Sequence, residues 1–179
     1  MKILGVGGTL RKGSYSKALL LEAQKLAPKD VVIEITDIGD FPLYNPDIKM
    51  PKVVQDFKNK IKAADAILFS TAEYNYSVPG SLKNALDWAS RPYGDNSWEE
   101  KPVAIMSESI GMLGGIRAQF HLRQMLLFIN MYPLNRPEFV LGNVAEKFDE
   151  QGNLTDEHTK EKIKELLQTL VDWAERLKK

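Results

Sequence analysis

Lys2-Ile3-Leu4-Gly5-Val6-Gly7-Gly8-Thr9-Leu10-Arg11-Lys12-Gly13-Ser14-Tyr15-Ser16-Lys17-Ala18-Leu19-Leu20-Leu21 begins as a short apolar run and ends inside a helical pattern. After Lys2 the run has only apolar residues or glycine, as expected of a strand covered on both faces. A turn rich in glycine and hydroxyls follows, and from Ser14 onward apolar residues recur at helical spacing, with serine in the capping position. A buried strand that turns directly into a helix is the first half of a βαβ unit, which predicts a parallel sheet flanked by helices.

The same alternation continues to the end of the chain. Residues 2–7, 31–36, 66–71, 103–107 and 138–141 are predicted strands, and 14–26, 52–63, 81–90, 115–130 and 156–177 are predicted helices. In the last helix Ile163, Leu166, Leu167, Leu170, Ala174 and Leu177 share one face, which docks it on the sheet. Residues 37–51 carry Pro42, Pro46 and Pro51 without a clean period, so they read as a long loop. No linker or repeat divides the sequence, and residues 1–179 are expected to form a single domain.

Composition narrows the function. Lys plus Arg and Asp plus Glu both number 24, so no net charge draws the chain to nucleic acid or acidic lipid. Cysteine is absent, which removes disulfides, thiol nucleophiles and thiolate metal sites. His121 and His158 are the only histidines and do not form a metal-binding motif. With no apolar stretch of membrane-spanning length and no signal-peptide core, the expected location is the cytoplasm.

In an open parallel sheet, ligands bind beyond the carboxyl ends of the strands. The first such loop, 7–16, offers Thr9, Ser14 and Ser16 beside Arg11 at a helix start, a donor set for phosphate oxygens. Two phosphate motifs fail there. Leu10 stands where the dinucleotide fingerprint needs its third glycine, and Ser14 stands where the Walker A motif needs lysine. A terminal phosphate monoester suits what remains, against a plain serine cap. The second loop, 71–80, presents Tyr74, Asn75 and Tyr76 before Pro79-Gly80, a surface for a flat heteroaromatic ring or an aromatic turn packed for stability. The third, 107–115, carries Ser107, Ser109 and the glycines 111, 114 and 115. Three such loops together make a site of mononucleotide size.

The predicted helix 115–130 has two apolar stripes. Ala118, His121, Leu122, Met125, Leu126 and Ile129 are expected to face the sheet, leaving Phe120, Leu127, Phe128 and Met131 for a second copy of the chain. The alternative is that residues 132–137 fold back over them.

At these residues the sequence resembles the NAD(P)H-dependent FMN reductase family, the flavodoxin-like group that includes quinone, azo-dye and chromate reductases. Residues 8–16 look like its GS-x-R-x-x-S phosphate loop, and Glu73-Tyr74-Asn75-Tyr76-Ser77-Val78-Pro79-Gly80 with Leu82-Lys83-Asn84-Ala85 and Asp87-Trp88 is similar to its most specific signature. Pro42-Leu43-Tyr44-Asn45 and the 107–115 loop also match, while Ser16 replaces a common Asn, Ala72 a common Pro, and Thr9 a Ser. The resemblance implies a three-layer flavodoxin-like fold with five parallel strands in the order 2-1-3-4-5. It implies that Thr9, Arg11, Ser14, Tyr15 and Ser16 hold the FMN phosphate by side chain or backbone. Glu73, Tyr74, Asn75 and Tyr76 would hold the isoalloxazine ring, and Ser107, Ser109, Gly111 and Met112 would close its other side. The implied reaction moves a hydride from NADPH or NADH through FMN to a small-molecule acceptor such as a quinone, azo compound, flavin or metal oxyanion, with no catalytic side chain required. The resemblance further implies a homodimer or homotetramer, in which Arg117 and Glu138 pair between subunits. An FMN electron carrier without NAD(P)H oxidation and a phosphate-ligand binder without flavin are the competing readings.

Overall fold

A computed structural model describes residues 1–178. The strands are β1 (Lys2–Gly7), β2 (Val32–Thr36), β3 (Ala66–Ala72), β4 (Pro102–Glu108), β5 (Tyr132–Pro133) and β6 (Phe139–Leu141). Between and after them lie α1 (Tyr15–Lys25), α2 (Lys52–Ala63), α3 (Gly80–Ala89), α4 (Ile116–Phe128) and α5 (Glu157–Leu177). All strand pairs are parallel, in the order β2-β1-β3-β4-β5, with β6 also on β4. This is the α/β, flavodoxin-like order 2-1-3-4-5 that the family resemblance implied.

Side chains alternate between the two faces of the sheet, as a pleat requires. Leu4, Val6, Ile67, Phe69, Val103 and Ile105 pack with α2, α3 and α4, whereas Ile3, Ala66, Leu68, Ala104 and Met106 pack with α1 and α5. Each face therefore has its own buried core, which is why the strands read as continuous apolar runs.

The fifth strand differs from its expected form. Instead of one strand at 138–141, two short pieces share the outer edge of β4, Tyr132 opposite Pro102 and Phe139 opposite Met106. Pro137 between them has no N–H to continue the ladder. Side chains of α4 take the carbonyls beside the break: Arg123 Nη2 donates to Leu134 O at 2.8 Å and Gln119 Nε2 to Phe139 O at 2.9 Å. Residues 132–137 thus extend the sheet and do not cover the second stripe of α4, and Phe120, Leu127 and Phe128 are exposed. Two stripe assignments are corrected: Met131 is buried in the core, whereas His121 is exposed and hydrogen-bonded through Nδ1 to Ser77 Oγ at 3.1 Å.

The long loop 37–51 is pinned by part of the signature sequence. Asn84 Oδ1 accepts from Tyr44 N at 2.7 Å, and Asn84 Nδ2 and Trp88 Nε1 both donate to Pro42 O. Tyr44 meets the Trp88 ring edge-on, with centroids 5.0 Å apart. Among the described residues no helix is long and apolar enough to cross a membrane.

Candidate cofactor site

The three strand-end loops converge on one cavity of about 220 Å³, lined by Thr9, Arg11, Ser14 and Tyr15 of the first, Ala72, Glu73 and Tyr74 of the second, and Glu108, Ser109 and Ile110 of the third. A hydrogen bond of 2.9 Å between Thr9 Oγ1 and the Tyr74 hydroxyl joins the first two.

Backbone contacts hold the first loop. Gly8 N donates to Ser70 O at 2.8 Å, and Gly8 O accepts from Ser81 Oγ at 2.8 Å. A Cβ on Gly8 would lie 3.0 Å from Thr71 Oγ1 and 3.2 Å from Leu82 Cδ2, so only glycine sits there without displacing a neighbour. Ser14 caps α1 by accepting from Lys17 N at 3.3 Å. The cap leaves other first-turn N–H groups without helical partners, an anion-binding arrangement at the cavity that the exposed Arg11 also lines. Ser16 lies elsewhere: it is fully buried, and its hydroxyl donates to Glu108 Oε1 at 2.7 Å. Its side chain is thus committed inside the protein, leaving only its backbone for a ligand.

The second loop is built from side chains. Tyr74 and Ser77 exchange two backbone hydrogen bonds around Asn75 and Tyr76, at φ 49° and 66°. An aromatic residue in the left-handed region costs about 1–2 kcal/mol, so neighbours must hold it. The Arg117 guanidinium lies 4.1 Å from the Tyr76 ring centroid. Glu73 in turn binds Arg117, its Oε1 3.5 Å from Nη1. Glu73 Oε2 also accepts from the backbone N–H of Arg117 and Ala118, at 3.1 and 3.3 Å. Gly115 offers α4 no capping side chain, so Glu73 supplies the cap from the preceding βα unit. Arg117 is therefore engaged within its own chain, and Glu138 acts on Arg123, whose pKa it raises against the lowering by burial.

In the third loop the positions expected of site residues divide. Ser107 is buried, accepts from Gln119 Nε2 at 2.9 Å and does not line the cavity. Ser109 lines it and donates to Gly111 O at 3.0 Å. Gly111 and Met112 lie outside the lining but on the exposed surface of the same loop, as do Asn75 and Tyr76 in theirs. The loop packs on residues 140–142, where a Cβ at Gly114 would come within 2.7 Å of Gly142 N.

Glu108 is a lining residue the sequence reading missed. It is 4% exposed, and burial raises its pKa while hydrogen bonds from Ser16 and the charge of Arg11 oppose the rise. The available signal was an acidic residue closing a strand that is apolar from Pro102 to Met106.

These groups fit FMN. The cradle of helix-start N–H groups, Thr9, Ser14 and Arg11 offers donors and positive charge to a phosphate, and the exposed Tyr74, Tyr76, Ile110 and Met112 offer apolar surface to a ring.

Known proteins bear on this arrangement. Residues 1–146 match the family described as NADPH-dependent FMN reductase. The chain is 48% identical over 181 residues to an NAD(P)H-dependent FMN reductase of Pseudomonas aeruginosa, covering 99% of this chain and 97% of that one. It is 43% identical to the NAD(P)H:quinone oxidoreductase of Solanum tuberosum, covering 99% and 95%. Among solved structures, FerB of Paracoccus denitrificans, a flavoenzyme NAD(P)H:(acceptor) oxidoreductase, superposes with a TM-score of 0.88 at 38% identity, covering 98% and 97%. On this extent of match, the chain belongs to the NADPH-dependent FMN reductase family.

Proposed function

We propose that this chain is an FMN-dependent oxidoreductase that takes a hydride from NADPH or NADH and passes the electrons to a quinone or a similar small acceptor, such as an azo compound, flavin or metal oxyanion. The observation that carries the reading is the single cavity drawn from three successive strand-end loops and tied by the Thr9–Tyr74 bond. Bound FMN supplies the hydride relay; the protein supplies position and charge. Thr9, Arg11, Ser14 and the first-turn N–H groups of α1 hold the phosphate. Tyr74, Asn75 and Tyr76 hold the ring from one side, and Ser109 with the exposed residues 110–112 closes the other. Glu73 positions the second loop through α4 and Arg117. No side chain is needed as a nucleophile or general base.

In this reading the chain is a cytoplasmic enzyme, with residues 1–179 working as one FMN-binding domain. It associates as a homodimer or homotetramer through the exposed face of α4, where Phe120, Leu127 and Phe128 present apolar surface. The test is to load the protein with FMN, exclude air, and add NADPH and then NADH. Loss of the flavin absorbance near about 450 nm within seconds is expected. Bound flavin that keeps its colour with both nucleotides would instead identify an electron carrier.

A further inference from the structure

Glu108 is a buried acid for which the reading above has no task. It closes β4 and lines the cavity together with Thr9, Arg11, Ser14, Tyr15 and Ser109. The bond from Ser16 Oγ, at 2.7 Å, places its carboxyl beside the first turn of α1, the helix start that receives the phosphate. A helix start favours one negative charge, but two anions in one small cavity repel each other. Arg11 is the cationic group of the cavity, and its charge favours the ionised acid. Tyr15, Glu73 and Tyr74 are the other titratable lining groups, and Glu73 is committed to Arg117 and the start of α4. From the α4 side the neighbour is uncharged: Gly115 packs on the Glu108 backbone, where a Cβ would lie 2.8 Å from Glu108 O.

We propose that Glu108 sets the ligand specificity of the phosphate cradle through its proton, the cradle taking a phosphate dianion only while this carboxyl is neutral. The inference rests on the FMN reading. In balance, the free protein with Glu108 ionised takes up one proton from solvent as the phosphate enters. The protonated carboxyl is a donor as well as an acceptor, which suits phosphate oxygens that only accept. FMN is then held most tightly on the acid side and released as pH rises. Riboflavin, which has no phosphate, is held equally at both ends of the range.

The test titrates FMN and riboflavin into the full-length protein and into Glu108→Gln, following flavin fluorescence between about pH 5.5 and about pH 8.5. Glutamine cannot ionise, so it reports the neutral state at every pH. Relative to the variant, the wild-type Kd for FMN is expected to rise about tenfold per pH unit above the pKa of the acid. Riboflavin should give matching profiles in both proteins. The second ionisation of the FMN phosphate, near about pH 6, affects both proteins alike and drops out of the comparison. Calorimetry in buffers of different ionisation enthalpy should count one proton more for the wild type than for the variant. Identical FMN profiles in the two proteins would overturn the proposal, as would a riboflavin profile that moves with that of FMN. Absence of flavin binding by both proteins at every pH would overturn the FMN reading itself, and this inference with it. Ser16→Ala provides a check that leaves the acid in place. Losing a donor that favours the anion should move the FMN midpoint to higher pH, and an unmoved midpoint would count against the proposal.

Discussion

The first and second strand-end loops reach the same cavity by different means. The 7–16 loop is secured by its backbone, through Gly8 N and O, and turns the side chains of Thr9, Arg11 and Ser14 to the cavity lining. The 71–80 loop is secured by its side chains: Glu73 caps α4 and binds Arg117, and Arg117 covers Tyr76 in a left-handed conformation. A loop built on backbone can change its ligand-facing residues at little cost to the fold. A loop built on side chains ties ligand geometry and stability together, so one substitution there alters both.

The third loop is also built on backbone, and it provides the strongest way to break the comparison. At Gly115, with φ 77°, an added Cβ would lie 2.8 Å from Glu108 O. Gly115→Ala is expected to cost about 3 kcal/mol, from the strained φ and a clash with backbone that cannot swing away, read as a lower midpoint in denaturant. Next, Glu73→Ala should cost about 1–2 kcal/mol by uncapping α4, and should weaken FMN and riboflavin by the same factor. Arg11→Ala is the opposite case. It should leave the melting temperature unchanged, leave riboflavin unchanged, and weaken FMN about tenfold, or about 1.4 kcal/mol.

The smallest effect is expected outside the cavity lining. Asp156 accepts from Thr159 Oγ1 at 2.6 Å, pairs with Lys147 at 2.9 Å and caps α5 by accepting from Thr159 N at 2.9 Å, which together lower its pKa to about 2. A depressed carboxylate stabilises the fold above its unfolded pKa, and this contribution fades as pH falls from about 4 through about 2. Asp156→Ala should cost about 1 kcal/mol at neutral pH, show a smaller loss than the wild type across that acid window, and leave flavin affinity unaltered.

Much of the fold was legible because burial on both faces leaves a plain record: apolar strands, amphipathic helices and glycine turns. The helix at 52–63 is found at its predicted bounds. The fifth strand was harder to read, since its halves at 132–133 and 139–141 are too short to show a period, and the carbonyls of Leu134 and Phe139 are taken by the side chains of Arg123 and Gln119. In the cavity, residue types and loops were legible but the direction of each side chain was not. Nothing local shows that Glu73 turns toward a helix start in the next βα unit, or that Ser16 turns inward to meet Glu108. Such pairings join residues far apart in sequence, and local spacing carries only local geometry.

The central claim is that the backbone-held first loop reads a phosphate. It is tested most directly by the ratio of the riboflavin and FMN dissociation constants in the wild-type protein below neutral pH. The expected result is FMN bound at least about tenfold more tightly, the contribution of charge-assisted hydrogen bonds to the phosphate. Equal affinities would contradict it, since the cradle would then be holding no phosphate.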